Sequence, residues 1–524
     1  MPVVNGKSLH SRYDPAAEAR KLVADKIAQK PSARIALVLG MGFAYHIEAL
    51  REALPPSASI TVFEPLSEIV SSYASAVGKN IDNVRLWPSP TPQDVVDAVA
   101  GVVSPSLINQ VLIFAHPPSV ELDPPAYQSI LAAIQSAIDQ IAMSLTTGWG
   151  FGFEWIENAL RNIRRLPDLP VLAQFTSAVK HPPAAVILGA GPSIDEDWDL
   201  IRKAETLKFA VDTVLEPMAH QDITPHLAFL FDSQIENARL VEAVDASRIN
   251  LAVTLEVHPS VFERSWNNLF VASCDDGVLS WIEKRIGVSA GSVKQGGSVA
   301  TGAFDCARGL GCPAIYLAGV DLSFSAREVY CRRTAYERRA LESSERFHPP
   351  EGSLYEMKRE RTERKVSGRL TQENMFNYFR WLKDEIGRTA VPVTLLRNAG
   401  LLAEIIPSDG SSRISSERYP AGFDPARLGK KFPANSIFTR ETVDRATAEI
   451  RRGLEVFLHA DHFADPDALD RALENSGLSD ILAVVVEPPI AVCRYERDKG
   501  LPVGPWLEEL RDRLGRLAGT ILFE

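Results

Sequence analysis

Two glycine turns carry the residue types best suited to holding an anion. Gly189-Ala190-Gly191-Pro192-Ser193 follows the apolar run 184–188, and Gly296-Gly297-Ser298-Val299-Ala300-Thr301 opens a helical pattern that leads to the apolar run 314–318 and Gly319-Val320-Asp321. Small residues at a helix start leave backbone N–H groups turned outward, where the helix dipole favours phosphate oxygens. Ser298 adds a hydroxyl to the second turn. The chemistry expected is the binding of a nucleotide-linked substrate through its phosphate or diphosphate, with close packing of the backbone as the alternative use of each glycine.

The first turn falls short of a dinucleotide fingerprint, because Ile194 stands at the third glycine position, although Asp212 follows at the expected distance. Gly40-Met41-Gly42 fails in the same way, with Tyr45 in the third place and Glu64 as the acidic partner. The repeated half-match marks two Rossmann-like units without assigning NAD to either. Ser193 or Asp195 can cap the helix expected to run to Lys203. Asp195-Glu196-Asp197 fits the D-x-D pattern of metal-dependent sugar transferases, but acids in a first helical turn also complement the dipole, and no metal ligand is assigned. His226, His258 and His348 are candidate bases, each with a structural alternative. Arg332 and Arg333, beside Tyr330 and Tyr336, can clamp a departing phosphate. The absence of G-x-x-x-x-G-K-[ST] and H-E-x-x-H argues against a P-loop NTPase or a zincin.

These residues need strands to hold them. In the first segment, strands are expected at 35–39, 59–63, 84–87 and 111–114, with helices at 44–53, 95–102, 127–143 and 153–163. The central segment predicts strands at 184–188, 207–211, 227–231, 251–254, 269–272, 314–318 and 391–396. Gly189, Asp212, Asp232, Leu255, Ser273 and Gly319 stand just past the ends of the first six of these, and the polar groups among them gather where open α/β sheets bind ligands. Residues 324–370 break the rhythm with Arg327, Arg332, Arg333, Lys358, Arg359, Arg361, Arg364 and Lys365, and predict a lid or a disordered loop. The charged run 356–361 suggests an exposed helix. A helix at 373–386 follows, and the last segment is helical, chiefly 441–459 and 506–517. The expected domains are 1–170, a smaller α/β domain; 171–430, a Rossmann-like domain with the insertion 324–370; and 431–524, a helical domain.

A chain of 524 residues with 45% apolar content can bury several cores. A net charge of −11 argues against bulk binding to nucleic acid or an anionic membrane. No stretch is long and apolar enough to span a bilayer, and the opening residues lack a signal peptide's apolar core. Five cysteines without a C-x-x-C pair fit a reduced, cytoplasmic protein, with Cys306 and Cys312 as small buried residues.

The ordered set Gly189 to Ile194, Val211-Asp212-Thr213, Ile223-Thr224-Pro225, Phe231-Asp232, Gly296 to Ala300 and Ala318 to Leu322 resembles the motility-associated factor (Maf) family, the proposed flagellin glycosyltransferases; so does Leu9-His10-Ser11-Arg12-Tyr13-Asp14-Pro15. The resemblance covers most of the chain and is strongest over 184–322. It implies a central domain similar to bacterial sialyltransferases that use CMP-activated nonulosonic acids. Gly189, Gly191, Pro192, Ser193, Asp212 and Thr213 would line nucleotide and sugar, with Asp232 nearby. Gly296, Gly297 and Ser298 would hold the CMP side, Asp321 would end the strand beneath it, and Tyr330 and Tyr336 would meet the phosphate. No histidine stands just before Thr371, where the family's base would fall, which leaves His348 or His258 as candidates. The implied activity is transfer of a pseudaminic- or legionaminic-like sugar to Ser or Thr of flagellin in the cytoplasm. CMP-sugar and flagellin would be its partners, with no cofactor required and metal dependence left open. The same domain resembles archaeal 6-hydroxymethylpterin diphosphokinases, which makes a diphosphotransferase the rival reading. A non-catalytic flagellin-binding protein is a third.

Overall fold

The computed structural model describes residues 3–4, 7–77, 84–274, 276–325, 328–361 and 364–523. Two compact units form, Met1–Phe153 with Gly453–Gly519, and Glu154–Arg452 with Thr520–Glu524. The three segments expected from the sequence fall across these two units, with residues 453–519 grouped with the N-terminal α/β segment.

In the first unit, β1 (Ile35–Leu39), β2 (Ser59–Glu64), β3 (Val84–Pro88) and β4 (Val111–Ala115) make a parallel sheet in the order β3-β2-β1-β4. β1 is buried along its whole length, so it reads as an unbroken apolar run rather than an alternation, as a strand covered on both faces requires. Val38, Ile47 and Val62 belong to the core on one face, and Leu37, Val99 and Ile134 to the core on the other. Thr91 and Asp94 close a capping box at the start of the helix Pro92–Ala100.

The two helices expected at 127–143 and 153–163 are one, Pro124–Asn162, of 39 residues. The glycines between them do not break it. A Cβ at Gly148 would meet the Val484 carbonyl oxygen at 2.5 Å, and one at Gly152 the Val485 side chain at 2.8 Å, so these glycines let the helix Ser479–Asp498 approach closely. That helix carries Arg494, fully buried, whose guanidinium pairs with Asp467 (3.0 Å) and Asp470 (2.7 Å) and donates to the Ser106 carbonyl (3.0 Å).

The second unit is built on β5 (Ala185–Leu188), β6 (Leu207–Val211), β7 (Leu227–Leu230), β8 (Asn250–Val253), β9 (Asn268–Val271), β10 (Ile315–Ala318) and β11 (Val393–Leu395). All pairings are parallel, in the order β9-β8-β7-β6-β5-β10-β11. The chain starts at β5, steps outward to β9 and returns to the other side of β5 at β10. The strand order therefore reverses between β5 and β10, where the connection after β5 and the connection after β10 run to opposite sides and open a crevice.

Among the described residues, the insertion is folded. It comprises the helices Ala335–Glu342 and Pro350–Arg361 and a hairpin, Arg364–Val366 with Arg369–Thr371. Arg327 lies outside the described residues. The helix Glu373–Arg388 follows. No helix of the described residues is long and apolar enough to cross a membrane.

Candidate functional site

At the reversal point, the turn after β5 lies directly against the turn after β10. Gly191 N–H donates to the Gly319 carbonyl at 2.7 Å, and a Cβ at Gly191 would come within 2.6 Å of the Asp321 carboxyl carbon. Asp321 uses that closeness. Its carboxylate accepts from the Ser193 N–H (3.0 Å) and from the Ser193 hydroxyl (2.5 Å). Pro192–Glu196 is a short 3₁₀ turn followed by the helix Trp198–Lys203, in place of one helix capped by Ser193 or Asp195. The cap comes from Asp321, across the crevice. Burial raises the Asp321 pKa, and the two bonds from Ser193 oppose the rise. The three acids that follow are engaged within the chain. Asp195 accepts from the Arg332 N–H (3.0 Å), and Arg397 pairs with Glu196 and Asp197, each at 2.9 Å.

A second group forms past the ends of β6 and β7. Asp212 opens a 3₁₀ turn immediately after β6, and its Oδ1 accepts from the Thr213 N–H (2.7 Å) and hydroxyl (3.0 Å). It is buried, and desolvation pushes its pKa up to about 7, with the charge of Asp232 adding to the rise and the Thr213 bonds opposing it. Asp232 is exposed just past β7. Tyr336, at the start of a helix capped by Thr334, is near enough to Asp212 for the carboxylate charge to reinforce the upward shift that burial gives its phenol. Tyr330 stacks on Tyr336, with ring centroids 4.7 Å apart and planes 4° from parallel. Arg361 covers the pair. Its guanidinium lies 5.8 and 5.5 Å from the two ring centroids, and Nη1 donates to the Tyr330 oxygen at 2.7 Å. With its oxygen accepting from Arg361, Tyr330 keeps its own O–H to donate.

The turn at Gly296 joins this group through the helix Glu373–Arg388. A Cβ at Gly297, where φ is +89°, would come within 2.7 Å of the Tyr378 ring, and Gly296 lies against Trp381. Tyr378 is close enough to Asp232 and Tyr330 for both to raise its pKa, after the larger effect of burial. Ser298 is the N-cap of the helix Val299–Gly309. Its hydroxyl oxygen accepts from the Ala300 N–H at 3.1 Å, while Thr301 Oγ1 accepts from Gly296 N–H at 2.8 Å and donates to the Ser298 carbonyl. The Ser298 hydroxyl hydrogen is left to donate to a ligand.

The residues singled out from the sequence thus divide. Gly189, Gly191, Pro192 and Ser193 gather around Asp321. Asp212, Thr213, Asp232, Tyr330, Tyr336, Gly296, Gly297 and Ser298 gather around the stacked tyrosines. Cys331 ties the groups together, since its N–H donates to the Ala190 carbonyl at 2.8 Å and it directly follows Tyr330. His348 is exposed in a turn with Glu345, and no hydrogen bond or ring contact joins it to either group among the described residues. His258 Nδ1 accepts from the Ser260 N–H, and His226 Nδ1 from the Lys208 N–H, so both serve the backbone. Arg332 extends outward, its side chain 75% exposed and 3.8 Å from Glu328, whereas Arg361, read from the sequence as one face of an exposed helix, turns inward. Tyr378 and Trp381 were not singled out. Their spacing of three on a helix facing a double glycine was the available signal.

Comparison with known proteins places this architecture. Residues 157–327 match the family model "6-hydroxymethylpterin diphosphokinase MptE-like". An uncharacterized protein of Treponema pallidum (strain Nichols) is 30% identical over 150 residues, a match spanning 26% of this chain and 38% of that protein's length. The solved structure of the MAf glycosyltransferase from Magnetospirillum magneticum AMB-1 superposes with a TM-score of 0.58 at 15% identity, covering 98% of this chain and 84% of that one. The chain therefore shares the fold of the MAf glycosyltransferase, around a central segment that matches the MptE-like family model.

Proposed function

We propose that this protein is a Maf-type glycosyltransferase that moves a nonulosonic acid from its CMP-activated form to Ser or Thr hydroxyls of flagellin in the cytoplasm. The observation that carries the reading is the buried Asp212 carboxyl, poised to exchange a proton near neutrality beside a tyrosine pair held under a guanidinium. A base matched to the working pH is what an acceptor hydroxyl needs. In the transfer, the hydroxyl oxygen bonds to the anomeric carbon, its proton passes to Asp212, and the bond from that carbon to the CMP phosphate oxygen breaks. Arg361 and the Tyr330 O–H stabilise the charge that develops on the departing phosphate. Gly297 and Ser298 hold the nucleotide side, and Tyr378 supplies a ring wall against them. Asp321, bonded to Ser193, acts by fixing the shape of the crevice.

The test is intact-mass measurement of flagellin incubated with the protein and a CMP-nonulosonate. The expected result is a gain in sugar-sized steps that depends on Asp212 and Ser298. No gain with the unsubstituted protein, or an undiminished gain in both D212N and S298V, refutes the assignment. Release of AMP from ATP with a hydroxymethylpterin would instead establish a diphosphotransferase.

A further inference from the structure

The first unit has its own reversal point, between β1 and β4, and it is lined with polar side chains the proposed transfer does not use. Glu64, at the end of β2, fills the turn at Gly40. Its Oε2 accepts from the Met41 N–H (2.7 Å), and its Oε1 from the Leu66 N–H (3.0 Å) and the Tyr127 hydroxyl (2.8 Å). Beside it lie His10, His46 and His116, all buried, with one ring nitrogen of each within 4.8 Å of the others. The rings of His46 and His116 are 4.2 Å apart, and those of His10 and His116 4.9 Å.

The hydrogen bonds fix which nitrogens are open. His46 Nε2 is 2.9 Å from the Gly40 carbonyl, an oxygen that can only accept, so Nε2 carries the hydrogen and Nδ1 carries the lone pair. That Nδ1 is buried and has no hydrogen-bond partner among the described residues. Tyr127 donates to Glu64, and the Ser119 hydroxyl bonds to Tyr127. Ser119 Oγ is 2.7 Å from His116 Nδ1. Proton direction then runs His116 Nδ1–H to Ser119, Ser119 to Tyr127, and Tyr127 to the Glu64 carboxylate, leaving Nε2 of His116 as its lone-pair nitrogen. Burial disfavours a charge on all three rings. Each of the two rings thus has one nitrogen anchored to an oxygen and the other open, as in histidines that bind metal ions.

We propose that His10, His46 and His116 form a binding site for a divalent cation of the Zn²⁺ class. His46 offers Nδ1 and His116 offers Nε2. His10 Nε2 accepts from the Phe43 N–H at 2.8 Å, and joins as the third ligand by giving up that bond. Zinc–nitrogen bonds of about 2.0–2.1 Å in a tetrahedral set put ligand nitrogens about 3.4 Å apart, which small ring rotations reach from the present spacing. Neutral imidazoles and no thiolate select zinc or cobalt over calcium or magnesium. Gly42 keeps the approach open, since a Cβ there would stand 2.7 Å from His10 Nε2.

The full chain, loaded separately with Zn²⁺ and Co²⁺ and passed through gel filtration, is measured for metal content and for the cobalt visible spectrum. The expected result is one retained equivalent and tetrahedral d–d bands without a sulfur-to-cobalt charge-transfer band. Folded H46A and H116A should lose at least about 100-fold in affinity, and E64Q about 10-fold through the relay. A folded protein that retains no metal overturns the proposal. So does a charge-transfer band, or retention unchanged in both histidine variants. If those variants do not fold, the spectrum of the unsubstituted protein decides.

Discussion

Replacing Asp212 with asparagine tests the central site through stability as well as turnover. The folded chain raises this carboxyl from 3.8 to about 7, so the native state holds the proton more tightly than the unfolded chain does. The stability this contributes is complete below the unfolded value and is lost as pH rises through about 7. At about 1.4 kcal/mol per pH unit, the gap amounts to about 4 kcal/mol between the two limits, and about 2–3 kcal/mol of it falls between pH 5 and pH 8. Asparagine has nearly the same shape, keeps an oxygen to accept from Thr213 and does not ionise. Urea denaturation across that range should therefore show a flatter pH dependence for the variant than for the parent, by about 2–3 kcal/mol. Transfer should fall about 10²- to 10⁴-fold in the same variant, as loss of a general base does. Parallel stability profiles would mean that Asp212 is not held as a protonated acid. Undiminished transfer would remove it from the chemistry.

Ser193→Ala and Asp321→Asn should each lower stability by about 1–3 kcal/mol, and the double variant by less than their sum, because both act on the bond from the Ser193 hydroxyl to Asp321; thermal melts of the four proteins check this. Gly297→Ala, at φ +89° and facing Tyr378, should displace that ring and raise KM for the donor, measured against an unchanged fold by circular dichroism. Arg361→Met should cut kcat about 100-fold while leaving the melting temperature near that of the parent, because the lost guanidinium acts chiefly on developing charge. Arg494→Met removes the guanidinium from Asp470 and leaves Asp467 to Arg497 at 2.8 Å, and should cost about 2–3 kcal/mol, visible as early unfolding of the unit that contains it.

The sheets were legible because their strands are short apolar runs bounded by glycine and acid. Ile35–Leu39 and Leu207–Val211 coincide with the expected spans, and the other strands shift by a residue or two. What pattern could not reveal was partnership across the sheet. Ser193 looks like an ordinary helix cap in sequence, and only the adjacency of β5 and β10 brings Asp321, 128 positions away, onto its hydroxyl. Arg361 has the same character. Its helix has no buried residue, so its periodicity reads as solvated, yet the final turn delivers the guanidinium to Tyr330 and Tyr336. His10, His46 and His116 are too scattered in sequence for any spacing rule to unite them.

The grouping of residues 453–519 with 1–153 bears on how the molecule is made. A ribosome finishes β1 to β4 early, but the helices that complete their unit, with Arg494 reaching for the Ser106 carbonyl, follow only after the whole central sheet has been synthesised. The layer built by β1 to β4 therefore gains these contacts only after residues 154–452 have been made. Vectorial synthesis usually lets the first domain settle first. Here the unit that holds β1 to β4 closes only after the residues between its two stretches have been synthesised.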